Sequence, residues 1–252
     1  MRFVSALTVW ASCAVLGALT ACSNPAQAQG APLGESVTTA TANTGSTYYA
    51  LYADLRRCPS PLCGGWFVDE LNRPATQCHD GSTADQCYTP ELDWSRSGLS
   101  DAQQSQLLDA AHTGATSGQV VAIARGTFAH GNSTPQPELG RFVISEAWAE
   151  VGSGAATGTF VEVHDNGLRC FAAPCRNLTE VTLDTPQVTD IAAVDFTPAG
   201  LTDSQVETCT TAMYGPDGLI VAGDRYTVQA NGSTAPGRTA TAAYLRLSST
   251  PQ

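Results

Sequence analysis

The chain is written twice, and this constrains its fold more than any other feature. Tyr48-Tyr49-Ala50-Leu51 through Arg57-Cys58 aligns without gaps on Phe160-Val161-Glu162-Val163 through Arg169-Cys170. The match runs on through Cys63 on Cys175, Leu71 on Leu183 and Pro74 on Pro186. The first copy then carries an insertion of about ten residues that holds Cys78 and Cys87. Beyond it, Asp93-Trp94 answers Asp195-Phe196, and Gly98 to Gln103 answers Gly200 to Gln205. Gly118 to Ile123 pairs with Gly218 to Gly223, and Gly140-Arg141 with Gly237-Arg238. A unit of about ninety residues exceeds the period of a solenoid repeat, so two copies of one small domain are expected.

Each copy has the same local grammar. A β-branched and aromatic run (Tyr48 to Tyr52; Phe160 to Val163) leads into a C-x4-C loop, and a second extended run follows (Trp66 to Leu71; Leu178 to Leu183). Ser100 with Gln103 and Thr202 with Gln205 have the spacing of a capping box, which predicts a helix from Asp101 to about Ala111. Gly114 and Gly215-Pro216 read as its stops. Strands are expected over Gln119 to Phe128, Arg141 to Val151, Leu219 to Gln229 and Arg238 to Leu247. The expected fold class is α+β: two tandem copies of a small antiparallel sheet with one packed helix, stapled by disulfides. The organisation would be a signal segment (1–21), a tether (22–46), a first domain (47–152) and a second (158–248), the two packed as one rigid body about a pseudo-twofold contact.

Four residues between cysteines permit a small disulfide ring, and prolines stiffen Cys58-Pro59-Ser60-Pro61-Leu62-Cys63 further. Cys170–Cys175 repeats it, and Cys78–Cys87 closes a polar hairpin within the insertion. Cys209 is left over, at the position of Leu107 on the buried helix face, where a thiol behaves as a small apolar group. Pro59, Ser60, Pro61 and Leu62 are the candidate recognition loop, although a ring present in both copies also reads as a stapled strand connection. Zinc on Cys58, Cys63, Cys78 and His79 is the competing use of these residues, and an oxidising compartment disfavours it.

Met1-Arg2, a charge-free apolar run from Phe3 to Leu19 and the small residues Thr20-Ala21 before Cys22 describe a secretory signal. Leu19-Thr20-Ala21-Cys22 resembles the lipobox of bacterial lipoproteins, which implies lipidation at Cys22. Ser23 after it implies the outer membrane. Ala26-Gln27-Ala28 would suit ordinary cleavage and a secreted or periplasmic product instead. Residues 23–46, nearly free of large apolar side chains, cannot offset the entropy of ordering them and read as a tether. The formal charge is -11 and all twelve basic residues are arginine. Such a surface argues against nucleic acid and against adhesion to anionic headgroups, so membrane contact is expected through the lipid.

The four histidines are scattered and unrepeated, and no G-x-S-x-G, H-E-x-x-H or phosphate-binding glycine loop occurs. Neither a catalytic residue, a metal site nor a cofactor is expected. The segments Arg56-Arg57-Cys58-Pro59-Ser60-Pro61-Leu62-Cys63-Gly64-Gly65-Trp66 and Leu168-Arg169-Cys170-Phe171-Ala172-Ala173-Pro174-Cys175 resemble a domain-of-unknown-function family of bacterial secreted proteins and lipoproteins. The likeness covers most of residues 47–248 and implies architecture and location, with no assigned activity. The second copy departs from it in having Arg176-Asn177 in place of Gly64-Gly65. The functional expectation is a non-catalytic, lipid-anchored envelope protein that binds a protein or other envelope partner. The alternatives are a protease inhibitor presenting the Cys58–Cys63 loop and a hydrolase with an unrecognised site.

Overall fold

The structure, a computed structural model, describes residues 45–131 and 139–248. Cys22, the signal segment and the tether as far as Thr44 lie outside the described residues. The first half runs β1 (Thr47–Ala53), β2 (Trp66–Glu70), β3 (Thr76–Gln77), β4 (Thr83–Ala84), β5 (Cys87–Thr89) and β6 (Leu92–Asp93). Helix α1 (Asp101–Ser117) and strands β7 (Ala122–Ala129) and β8 (Arg141–Val151) complete it. The second half has β9 (Thr159–Asp165), β10 (Leu178–Thr182), β11 (Val188–Ile191), β12 (Val194–Asp195) and α2 (Asp203–Tyr214). It ends with β13 (Leu219–Gly223), β14 (Arg225–Ala230), β15 (Ser233–Thr239) and β16 (Ala242–Arg246).

These strands do not form two small α+β units, which corrects the fold class expected from sequence. One eleven-stranded sheet runs β11-β10-β9-β13-β16-β8-β7-β1-β2-β5, with β6 beside β8, and the described residues are mostly β with two α-helices. The cause is the pairing of β8 with β16, the last strand of each half, which continues the hydrogen-bonded ladder across the junction. From that junction the order reads alike in both directions: β8-β7-β1-β2 one way, β16-β13-β9-β10 the other.

Registers coincide as well. Tyr49 faces Glu70 where Val161 faces Thr182, Ala50 faces Ile123 where Glu162 faces Ile220, and Ile123 faces Trp148 where Ile220 faces Tyr244. The equivalent residues Ala149 and Leu245 face each other, so the local twofold passes between them. This register revises two of the sequence matches. Gly126 is the counterpart of Gly223, and Phe142 that of Arg238. Both glycines sit where the neighbouring strand passes too close for a side chain: an added Cβ would lie 2.4 Å from Val143 O at Gly126 and nearer still to Thr239 O at Gly223.

Both helices begin at the expected capping boxes, Ser100/Gln103 and Thr202/Gln205. Gly114, however, does not stop α1. It lies within the helix, where an added Cβ would meet Gln119 O at 2.9 Å and the Tyr52 ring at 3.3 Å. The stop is Gly118, in the left-handed region at φ 72°. The long strands expected near the C-terminus are each broken in two, because β14 and β15 leave the main sheet to form a separate one with β12. An Asn231-Gly232 turn joins them, and both residues have the positive φ that a two-residue hairpin requires.

Three apolar clusters hold the molecule. Leu107 and Ala111 of α1 pack on Leu51, Val68 and Ile144, and Cys209 and Met213 of α2 pack on Val161, Val163 and Leu219. Cys209 is a free, buried thiol, and burial pushes its pKa up to about 11. On the opposite face the sheet curls and encloses a third cluster made of equivalent pairs: Tyr48 and Phe160, Leu71 and Leu183, Ile123 and Ile220, Trp148 and Tyr244. Two turn residues close the curl reciprocally. Phe160 N donates to Asn72 Oδ1 (2.9 Å), and Tyr48 N donates to Asp184 Oδ2 (3.0 Å). Asn72 and Asp184 are counterparts, both at positive φ (59° and 57°), a conformation that Asn and Asp tolerate better than other side chains.

The two halves differ most where β2 and β10 correspond. Val68 and Phe142 are apolar core residues of the first half. Their counterparts are Glu180 and Arg238, buried and joined by two bonds, Nε to Oε2 at 2.8 Å and Nη2 to Oε1 at 2.7 Å. Arg225 adds a third bond to Glu180 at 2.5 Å, and Arg238 also donates to Gly223 O.

Glu180→Gln, which strands Arg238, should cost about 3–5 kcal/mol in urea denaturation, whereas the double change Glu180→Val with Arg238→Phe should recover most of that loss. For the clasp, burial is the main influence raising the Asp184 pKa above its usual value, so ionisation costs stability as pH rises past that value. Asp184→Asn should therefore match or exceed the native thermal midpoint at pH 7 and lose that advantage in acid. Asp184→Ala should lose about 1–3 kcal/mol at either pH, having no acceptor for Tyr48 N–H.

Candidate functional site

The recognition loop proposed from sequence is organised by one carboxylate. Asp54 follows β1, and its side chain is fully buried. It accepts from Arg56 N, Nε and Nη2, each at 2.9 Å, and from Gly64 N at 3.2 Å. The Arg56 guanidinium then spans the loop, donating from Nη2 to Leu62 O at 3.0 Å. Its central carbon lies over the rings of Phe67 (4.9 Å) and Tyr88 (5.1 Å), a cation–π arrangement. Tyr88 Oη donates to Pro61 O at 2.7 Å, and Leu62 N closes a turn onto Pro59 O at 3.1 Å. Cys58 is bonded to Cys63. The Gly64-Gly65 pair has a separate reason at each position. Gly64 has φ 78°, and at Gly65 an added Cβ would lie 2.3 Å from Thr89 O.

The loop is therefore anchored from beneath with its tip in solvent. Pro59, Ser60 and Leu62 are exposed, Leu62 by 49 % of its surface, while Pro61 is half-buried. Beside it opens a groove of about 500 Å³ lined by Tyr52, Leu55, Arg56, Phe67, Gln86 and the end of α1 at Gly118. The carboxylate at its edge is a poor proton acceptor, because the Arg56 hydrogen bonds hold the Asp54 pKa below the usual carboxylate range.

The second loop is built differently. Cys170 is bonded to Cys175, but Asn166 stands at the position of Asp54 and Leu168 at that of Arg56. Asp165 pairs instead with Arg169 through two 2.8 Å bonds. The β14–β15 hairpin supports the loop, Asn231 Nδ2 reaching Ala173 O at 3.3 Å. Phe171 at its tip is fully exposed.

Cys78 is bonded to Cys87. Cys58, Cys63 and Cys78 are thus all spent in disulfides, which removes the thiolates that a zinc site with His79 would need. Among the described residues no group of three or more His, Cys, Asp or Glu side chains is arranged to hold a metal ion. The three disulfides fit an extracellular or periplasmic setting, and among the described residues no helix is long and apolar enough to cross a membrane.

Sequence reasoning missed a charged network on neighbouring strands. Glu146 joins Arg125 (3.2 Å) and Arg246 (2.9 Å), and Arg246 joins Asp217 (3.1 Å). Glu162 is drawn into it electrostatically, its pKa raised chiefly by burial and lowered by His164. The signal available in sequence was Glu162 and His164 alternating in phase with the inward-facing Phe160. These charges are already paired with one another, which suits a structural role. No curated protein and no solved structure matches the chain significantly. Residues 47–250 match the profile of the domain of unknown function DUF6748, and the chain belongs to that family.

Proposed function

We propose that the protein is a non-catalytic binding module of the bacterial cell envelope. It is anchored in the outer membrane by lipid on Cys22 and engages a protein partner through the Cys58–Cys63 face. One observation carries this reading: the loop beside the open groove is immobilised by Asp54, Arg56 and Tyr88 while Pro59, Ser60 and Leu62 stay in solvent. A pre-ordered surface loses little entropy on association, which favours recognition. Catalysis would need a group free to move a proton, and Asp54 is committed to four hydrogen bonds. The inhibitor alternative would need an extended segment to lie along a protease cleft. Here Leu62 N closes back onto Pro59 O, which favours a knob over a strand.

The anchor rests on Leu19-Thr20-Ala21-Cys22 after its apolar run. Fractionation of cells carrying Cys22→Ala should find the protein released from membranes; a variant still tightly membrane-bound would refute the anchor. For the binding face, a photo-reactive phenylalanine analogue at position 62 should give a discrete adduct on intact cells. The same analogue at Gln229 on the β14–β15 hairpin should give none. Adducts from position 229 with none from position 62 would overturn the assignment of the face.

A further inference from the structure

The insertion that sets the first half apart builds a second site, distinct from the loop and its groove. The Cys78–Cys87 bond closes it, β3 and β4 stiffen it, and Asp80 Oδ1 accepts from Ser82 N at 2.9 Å at its turn. This places His79 over the first-half sheet, 6.4 Å from the Phe128 ring and 5.3 Å from the His130 ring between centroids. Gly140 makes room for the imidazole, since an added Cβ there would lie 2.5 Å from it. Beneath is a cavity of about 200 Å³ lined by Tyr49, Glu70, Gln77, His79, Thr127 and Phe128 among others.

Its chemistry is one carboxylate among aromatic rings. Tyr49 stacks edge-on against Phe128 (6.3 Å) and Phe142 (5.1 Å), and it faces Glu70 directly across the β1–β2 ladder. The Glu70 side chain is only 9 % exposed. Its ion-pair partner, Arg73, approaches no closer than 3.5 Å and is itself half exposed, so the buried charge is weakly compensated. Consistent with this, burial and then Asp184 push the Glu70 pKa up, outweighing the opposing effect of Arg73.

We propose that this cavity binds a small organic cation, an ammonium group on a short carbon chain. The ring faces supply cation–π attraction, and Glu70 supplies the counter-charge. At about 30 Å³ per water, the cavity corresponds to about six or seven waters, enough room for the five non-hydrogen atoms of a butylammonium ion. The second half has Val161, Thr182, Asp224 and Arg225 where the first has Tyr49, Glu70, Thr127 and Phe128, so it lacks this chemistry. The chain contains no lysine, so its own side chains offer no alkylammonium to compete for the place.

Titration of the disulfide-intact protein with n-butylammonium, followed by two-dimensional NMR, tests this. Saturable shifts are expected at Glu70, His79 and Thr127, with none from the uncharged 1-butanol at equal concentration. Glu70→Gln should weaken binding at least tenfold. Because Glu70→Gln could disturb the fold, His79→Ala, which removes one wall on the outer side, is the second variant and should weaken binding about threefold or more. An absence of saturable shifts, equal binding of 1-butanol, or unchanged affinity in both variants would each overturn the proposal.

Discussion

The clasp made by Asn72 and Asp184 is the contact on which the rest of the architecture depends. An open antiparallel sheet of this width would expose one face, because both helices lie on the other. Four aromatic rings, Tyr48, Trp148, Phe160 and Tyr244, would then stand in water. Curling the sheet buries them together, while at the starts of β1 and β9 the Tyr48 and Phe160 N–H groups lie just past the ends of β2 and β10, which pair only as far as Glu70 and Thr182. Asn72 and Asp184 supply the missing acceptors, each from the half opposite to the strand it serves. Asn72 goes further: its Nδ2 also donates to Phe160 O at 2.9 Å, so one side chain imitates a length of β-strand. Burial of the aromatic cluster and satisfaction of these backbone groups are therefore one event.

Inside that shared frame the halves differ in what they bury. The frame demands volume at the position of Val68 and Phe142; it does not dictate polarity. Glu180 and Arg238 meet the demand with charge, which is tolerable only because every strong donor and acceptor there is engaged. The first half has taken the opposite course, with a dry centre and polar chemistry displaced to the rim, where Glu70 and the inserted hairpin lie. The polar residues unique to each half thus occupy different depths of the same scaffold.

What could be read from sequence was local. The capping boxes and the short cysteine spacings follow from residues within a few positions of one another, and the burial of Cys209 from its match to Leu107 on the equivalent helix. The single sheet could not be read, because alternation tells which face of β8 or β16 is buried and says nothing of which edge meets which. Gly114 misled for a related reason: a glycine needed for close packing on Tyr52 has the same letter as one needed for a left-handed stop. Matching Gly140-Arg141 to Gly237-Arg238 lay one residue off the true register, and that step hid the buried partner of Glu180. Asp54 was passed over as well, although an Asp two residues before an Arg at a strand end is a recognisable local turn.

The pairing of β8 with β16 has a further consequence. Every step along the sheet from β1 to β9 is antiparallel, so these two strands run in opposite directions. The two disulfide rings that follow them must therefore emerge at opposite poles. One pole presents a pinned, arginine-braced knob at Leu62, and the other a bare aromatic at Phe171. The two ends thus offer unlike surfaces, one braced by a buried carboxylate and its arginine, the other supported by the β14–β15 hairpin.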